Sequence, residues 1–276
     1  MVLFDAQGER LRPAPLEVKE GHVLSVAFGP EGKIAAGYGV DVEGDGGGVV
    51  LFDARGERLR PAPLEVKEGV VTSVAFGPEG QIAAGYRVGV DGGSGVVLFD
   101  ARGERLRPAP LEVKEGVVTS VAFGPEGQIA AGYRVDGGRG GVVLFDARGE
   151  RLRPVPLEVK EGNVMSVAFG PEGKIAAGYS GVRGGVVLFD ARGEQLRPAP
   201  LEVKEGVVTS VAFGPEGQIA AGYGVGFVRG GVVLFDADPA SWLRKAGQTA
   251  NRNFTRTEWW RFFPWTSYRR TIRSLP

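Results

Sequence analysis

The feature that most constrains the fold of this chain is an internal repeat. Each repeat contains the motif VLFDA. The distance from the Phe of this motif to the next Tyr is constant, as from Phe52 to Tyr86, and the units differ in length only after that Tyr. Residues 49–87 and 96–134 are identical letter for letter, which indicates recent duplication. A period of about 46 residues is typical of propeller blades or solenoid units. The motif, VLFDA, begins at Val2, Val50, Val97, Val143, Val187 and Val233.

One unit is predicted to form four short strands. Residues 96–100 (VVLFD) are apolar enough for an inner strand, and the Asp-Ala-Arg-Gly that overlaps its end is a tight-turn pattern. Residues 104–115 alternate charges with Leu and Val and contain two prolines, which lack a ladder donor, so this strand belongs at a sheet edge. Residues 117–123 are almost continuously apolar and suit the most buried strand, and residues 128–133 form the next one. Gly and Pro recur too often for a helix of three turns.

The order of these motifs resembles the WD-repeat β-propeller family. The matching segments are Gly21-His22, SVAFGPEG, IAAGY and Asp-Gly-Gly followed by VVLFD, and the resemblance covers residues 2–236. The Trp-Asp pair of the family is Phe-Asp in every unit, and Gly-His occurs only once, so the family's buried hydrogen-bond chain is mostly missing. The resemblance implies an all-β fold, in which residues 1–236 form a β-propeller of five four-stranded blades held mainly by apolar packing.

How the ring closes is the open question of this fold. In the family each blade combines strands from two units, so the fifth blade would join residues 207–213, 219–223 and 232–236 to an outer strand near residues 11–18. Residues 2–5 compete with 232–236 for its third position. We expect 232–236 to take that position, because its hairpin is short and local pairing costs less loop-closure entropy, leaving 2–5 frayed, exchanged into another chain or beside the tail. A closed monomer, a strand-exchanged homo-oligomer and a fragment of a larger ring all remain possible.

Residues 237–276 form a tail of different composition. All four Trp lie there, together with many cationic and few acidic residues. Asp238-Pro239 and the capping-box pattern from Thr255 to Glu258 predict two short helices that pack on the propeller. The tail resembles the end of bacterial, especially cyanobacterial, WD-repeat proteins that carry NACHT or caspase-like domains. Its Trp and Arg could contact nucleic acid or a membrane, but we expect neither partner.

Composition argues against catalysis and cofactors. The chain has 33 Lys+Arg and 33 Asp+Glu, no cysteine and one histidine, so thiol chemistry and most metal or general-base sites lack their usual residues. The acidic run at 41–45 lacks the bidentate Glu of a calcium loop. The Asp of each VLFDA motif suits a turn-capping role. We expect no catalytic residues, no metal, no cofactor, and a cytoplasmic protein, since no leader or spanning segment is evident.

The candidate site comes from the positions at which near-identical units differ. These positions follow the outer strand or lie in the hairpin after each Tyr, and both loops should open on one face. We predict a non-enzymatic scaffold or sensor that binds a protein or peptide there. A lectin-like carbohydrate-binding propeller and a truncated piece of a larger NACHT- or caspase-type protein are the alternatives, and sequence drift in exposed loops would also explain part of the variation. The predicted face comprises His22, Leu24, Val70, Thr72, Arg87, Val117, Thr119, Arg134, Arg139, Asn163, Met165, Arg183, Val207, Thr209 and Arg229.

Overall fold

A computed structural model describes residues 1–40, 46–89, 92–214, 217–226, 228–236, 255–257 and 259. The described strands form five antiparallel sheets, in which each strand pairs with its neighbour in the sequence. Among the fully described turns, the 3₁₀ segments Pro30–Gly32 and Pro171–Gly173 connect the first two strands of the first and fourth units. The all-β class and the five-fold repetition predicted from the sequence are confirmed.

Four sheets have four strands, and the fifth has three. Sheet 1 contains β1 (His22–Phe28), β2 (Ile34–Gly39), β3 (Gly47–Phe52) and β4 (Leu64–Val66). Sheet 2 contains β5 (Val70–Phe76), β6 (Ile82–Arg87), β7 (Ser94–Phe99) and β8 (Leu111–Val113). Sheet 3 contains β9 (Val117–Phe123), β10 (Ile129–Arg134), β11 (Gly141–Phe145) and β12 (Leu157–Glu158). Sheet 4 contains β13 (Gly162–Phe169), β14 (Ile175–Gly181), β15 (Gly184–Phe189) and β16 (Leu201–Val203). Sheet 5 contains β17 (Val207–Phe213), β18 (Gln218–Val225) and β19 (Arg229–Asp236).

The turn chemistry explains where the third strand of each sheet ends. Asp100 Oδ1 accepts the backbone N–H groups of Arg102 and Glu104 at 2.9 and 2.8 Å, and the same pattern occurs at Asp5, Asp53, Asp146 and Asp190. The outer strand is shorter than predicted, because the proline-rich run contributes one isolated bridge, Phe99 to Arg105, before pairing resumes at Leu111.

Each apolar core lies between two consecutive sheets. Leu51 and Leu64 of sheet 1 pack with Ile82 and Val97 of sheet 2, and equivalent residues fill the next interfaces. A Cβ added at Gly132 would lie 2.8 Å from Cγ1 of Val164 in the next sheet, so glycine at this position permits the two sheets to approach closely. Apolar packing therefore joins the sheets, as expected.

The prediction of five four-stranded blades is wrong at the fifth sheet. Residues 232–236 do pair with β18, but no described strand pairs with the other edge of β19. The N-terminal segment is not frayed: Leu11 and Leu16 donate to the carbonyls of Leu3 and Met1 at 3.0 and 2.8 Å. These residues pack on sheet 1 instead of completing sheet 5, because Leu3 and Leu16 are buried there beside Ile34.

Most of the tail lies outside the described residues, including the predicted helix that starts at Asp238. The start of the second predicted helix is described. Trp259 N–H donates to the Thr255 carbonyl at 2.9 Å, which is the spacing of an α-helical turn, and the Trp259 side chain is buried.

Candidate binding face

Strand register brings the two variable sets of residues together at one end of each sheet. The first residue of the innermost strand pairs with the last residue of the second strand, as Val70 with Arg87 and Val117 with Arg134. His22 pairs with Gly39 in the same way. We call this end, with the loops between second and third strands, the upper end of the array.

An open cavity of ≈ 540 Å³ lies at the upper end between sheets 2, 3 and 4. Six of its lining residues were predicted from sequence variation. Sequence reasoning missed the seventh, Val118, because every unit has the same Val at that position and comparison between units gives no signal there. The lining residues are Thr72, Arg87, Val117, Val118, Thr119, Arg134 and Met165.

The two threonines of this cavity sit at β-bulges and connect neighbouring sheets. The pairing of β5 with β6 shifts register between Val71 and Ser73, which places Thr72 at the irregular position. Its Oγ1 donates to Gly85 O at 3.2 Å within its own sheet and lies 3.0 Å from Val118 O of the next. Thr119 repeats this pattern with Gly132 O at 3.1 Å and Val164 O at 2.8 Å. The threonine hydroxyls thus hold the cavity wall in place.

Met165 occupies the same bulge position in sheet 4. It has no hydroxyl with which to make these bonds, and it lines the cavity with an adaptable thioether side chain. Leu24 is the equivalent residue of sheet 1, where it is exposed.

The two arginines supply the charge of the cavity. Arg87 Nη1 donates to the Gly89 carbonyl at 2.7 Å, and Arg134 Nη1 contacts Asp136 Oδ1 at 2.6 Å. Asn163 Oδ1 accepts the Val135 N–H at 2.9 Å and so holds the strand end beside Arg134. Both guanidinium groups are half-buried and keep further donors for a ligand, since each guanidinium has five N–H groups.

The remaining predicted residues do not line this cavity. Val70 is 1 % exposed and packs against Gly39, so its inclusion in a partner-binding face is wrong. Arg183 is exposed and lies 3.7 Å from Glu202, as measured from Nη1 to Oε2. Asn163 and Val207 are half-buried. The other exposed members of the predicted face are His22, Leu24, Arg139, Thr209 and Arg229.

The opposite end of the array carries a second cavity, of ≈ 440 Å³. Repeated Phe-Gly-Pro segments line it, and the Phe ring of one sheet packs against the glycine of the preceding sheet, as Phe76 against Gly29. Comparison between units could not single out these residues because they do not vary. The phenylalanines are Phe28, Phe76, Phe123 and Phe169.

Repeated ion pairs lie beside the strand tyrosines. Arg151 Nη1 and Glu115 Oε1 are 2.7 Å apart, and this hydrogen bond lowers the pKa of Glu115. Burial, with Glu115 and Glu158 nearby, raises the pKa of the Tyr133 hydroxyl above 10.0. The same pattern in other units indicates a structural role.

The described residues contain no cluster of His, Cys, Asp or Glu that could hold a metal ion. Within the same part of the chain, no helix is long and apolar enough to cross a membrane.

Comparison with known proteins gives similarity of structure alone. No family model and no curated protein sequence matches the chain. Hydrazine synthase of Kuenenia stuttgartiensis superposes with a TM-score of 0.61 and 14% identity over 83% of this chain and 67% of that chain. The WD40 β-propeller domain of Doa1 superposes with a TM-score of 0.58 and 15% identity over 82% of this chain and 68% of that chain. A gluconolactonase from Xanthomonas campestris superposes with a TM-score of 0.53 and 16% identity over 72% of this chain and 68% of that chain.

The fold and these similarities define a β-propeller with five consecutive blades. WD40 domains are among the similar structures, which agrees with the resemblance seen in the sequence at the level of fold. Because a hydrazine synthase and a gluconolactonase are also among them, the fold alone does not decide between binding and catalysis.

Proposed function

We propose that this propeller is a non-enzymatic scaffold that binds a protein or peptide at the cavity of its upper end. The observation that carries the proposal is convergence: six positions at which the units differ line one cavity. Chance variation of exposed loops does not explain Thr72, Thr119 and Met165, which lie on the innermost strands.

The lining indicates the chemistry of the partner. Val117, Val118 and Met165 offer an apolar patch, and Arg87 and Arg134 flank it with positive charge. A peptide segment with an apolar side chain next to a carboxylate fits both the apolar patch and the arginines, because arginine binds carboxylates through charge-assisted hydrogen bonds. None of the described lining residues is aromatic, so they do not supply the stacking surface that many sugar sites use. A peptide is therefore favoured over a carbohydrate.

The proposal is tested by selecting binders from a random displayed-peptide library on the immobilised full chain. Enriched peptides should carry Asp or Glu near an apolar residue. Changing Arg87 and Arg134 together to Ala should weaken their binding at least about tenfold, since a charge-assisted hydrogen bond contributes about 1.5–3 kcal/mol.

The matched control is Arg148→Ala, which removes an exposed arginine at the opposite end of sheet 3. Affinity should be unchanged in this variant. Equal affinity of the double variant and the native chain would refute the assignment of the cavity.

A further inference from the structure

The four interfaces between consecutive sheets are built alike. At each interface the Oγ of a Ser on the innermost strand accepts the backbone N–H of a Val on the innermost strand of the next sheet, always at 3.0 Å. The four pairs are Ser25 with Val74, Ser73 with Val121, Ser120 with Val167, and Ser166 with Val211.

A glycine of the second strand completes each interface. A Cβ added at Gly37 would meet Val71 and Val74 side-chain atoms at 2.7 and 2.8 Å, and Gly85, Gly132 and Gly178 are equally close to valines of the next sheet. These contacts fix one packing geometry, and the chain repeats it four times.

Both halves of a fifth interface are present, and within the part of the chain that the structure describes they do not meet each other. On sheet 1, Val26 is 52% exposed, whereas the equivalent Val74 is 5% exposed. On sheet 5, Leu234 is 70% exposed, whereas the equivalent Leu98 is 5% exposed. Among the described residues, a Cβ added at Gly222 would have only Ser210 atoms within 4 Å and no atom of another sheet.

The N-terminal segment already fills the outer half of the face on sheet 1. Leu3 and Leu16 pack with Ile34, Ala36 and Val50, as Leu51 and Leu64 do at the next interface. The inner half of the face, with Val23, Val26 and Phe28, is exposed, and no described strand packs on it.

We propose that a second copy of this chain docks head to tail, so that sheet 5 of one copy packs on sheet 1 of the next. Val232 and Leu234 of the first copy then take the places of Met1 and Leu3 on the second, and β19 gains residues 11–18 of that copy as its fourth strand. The equivalence follows from the register, since Val49 pairs with Leu64 and Gly47 with Val66 in sheet 1.

Docking of a second copy adds a fifth interface of the kind that the chain already forms four times, and it leaves those four interfaces unchanged. Closure of a single chain on itself would require every interface to alter its angle, which close packing resists. A head-to-tail contact between copies gives a ring if the rotation closes and an open filament if it does not.

The absence of cysteine makes a cross-linking test clean. A Cβ added at Gly37 would lie 3.6 Å from Val71 Cβ, which suits a disulfide, and Gly222 and Val23 are the equivalent residues at the unpaired ends. We expect a mixture of Gly222→Cys and Val23→Cys chains to form covalent heterodimers under mild oxidation, and each variant alone to form none. Gly93→Cys mixed with Val23→Cys is the control and should not cross-link, since Gly93 faces open space.

A second variant guards against misfolding. Gly222→Val should keep the folded monomer, but its side chain occupies the space of the incoming Val23 and Val26, so the concentration-dependent rise in mass measured by light scattering should be lost. Gly93→Val should retain that rise. The proposal is overturned if the native chain stays monomeric at all concentrations, or if Gly222→Cys and Val23→Cys placed in one chain give only an internal disulfide.

Discussion

At the residue scale, the units are nearly identical, so a residue that differs in one unit can be compared directly with the residue that the other units keep at that position. Three units carry an arginine that pairs with a partly buried glutamate. The fourth unit has Gln195 at that position, and Glu161 is its equivalent of the paired glutamates. The pairs are Arg58 with Glu20, Arg105 with Glu68, and Arg151 with Glu115.

Gln195→Arg is expected to stabilise the protein. The new guanidinium would reach Glu161 as Arg151 reaches Glu115, and a partly exposed pair of this kind contributes about 0.2–1 kcal/mol. Urea unfolding measures the gain. The same change in a Glu161→Gln background should give no gain, and an equal gain there would mean that the ion pair is not its source.

Alkaline pH should unfold the protein through its strand tyrosines. Burial, followed by nearby carboxylates, raises the pKa of Tyr38, Tyr86, Tyr133 and Tyr179 above 10.0. A folded-state pKa above the unfolded value gives stability that is present below pH 10.0 and is lost as pH rises through the folded pKa. Phenolate absorbance and circular dichroism should therefore change together.

Tyr133→Phe serves as the matched variant, because it removes one of these phenols while keeping the ring. Its stability should depend less on pH above 10.0 than that of the native chain. Phenolate formation in a chain that keeps its full β-sheet signal would contradict this account of the tyrosines.

At the scale of elements, the interface glycines distinguish internal sheets from terminal ones. Gly132→Val should destabilise the chain by about 1–3 kcal/mol, because the new side chain overpacks the space held by Val164 and Val167. Gly222→Val makes the same chemical change on sheet 5 and should alter the stability of the dilute protein by less than about 0.5 kcal/mol. Urea unfolding checks both values, and equal losses would mean that sheet 5 is covered like the others.

Sequence patterns predicted the elements well where turn chemistry and periodicity agree. The segments that become β7, β9 and β10, and the turn at Asp100, follow from alternation and from Asp and Gly positions. The length of the outer strand was overestimated, since a proline can end pairing without ending an extended backbone.

The candidate site was predictable only in part. Differences between units identified Arg87, Arg134 and Met165, but residues that every unit shares, such as Val118, give no such signal. Val70 was misplaced because its burial depends on Gly39 of another sheet. The two VLFDA copies at the chain ends have the same local sequence, so only tertiary packing decides which one covers sheet 1.

At the scale of the whole molecule, the central claim is that five blades form four matched interfaces and that no described strand covers the outer faces of sheets 1 and 5. The resemblance of the tail to NACHT- and caspase-associated proteins, the domain boundary at residue 236 and the cytoplasmic location stay predictions.

Amide hydrogen exchange in dilute solution tests the central claim most directly. The innermost strands β1 and β13 differ in sequence, so their peptides can be told apart, and both occupy the same place in their sheets. Exchange reports local opening, which is easier where packing is missing. We predict markedly faster exchange in His22–Phe28 than in Gly162–Phe169 while the protein is monomeric. Equal protection of the two strands in the monomer would show that sheet 1 is covered within one chain, and would contradict the open array.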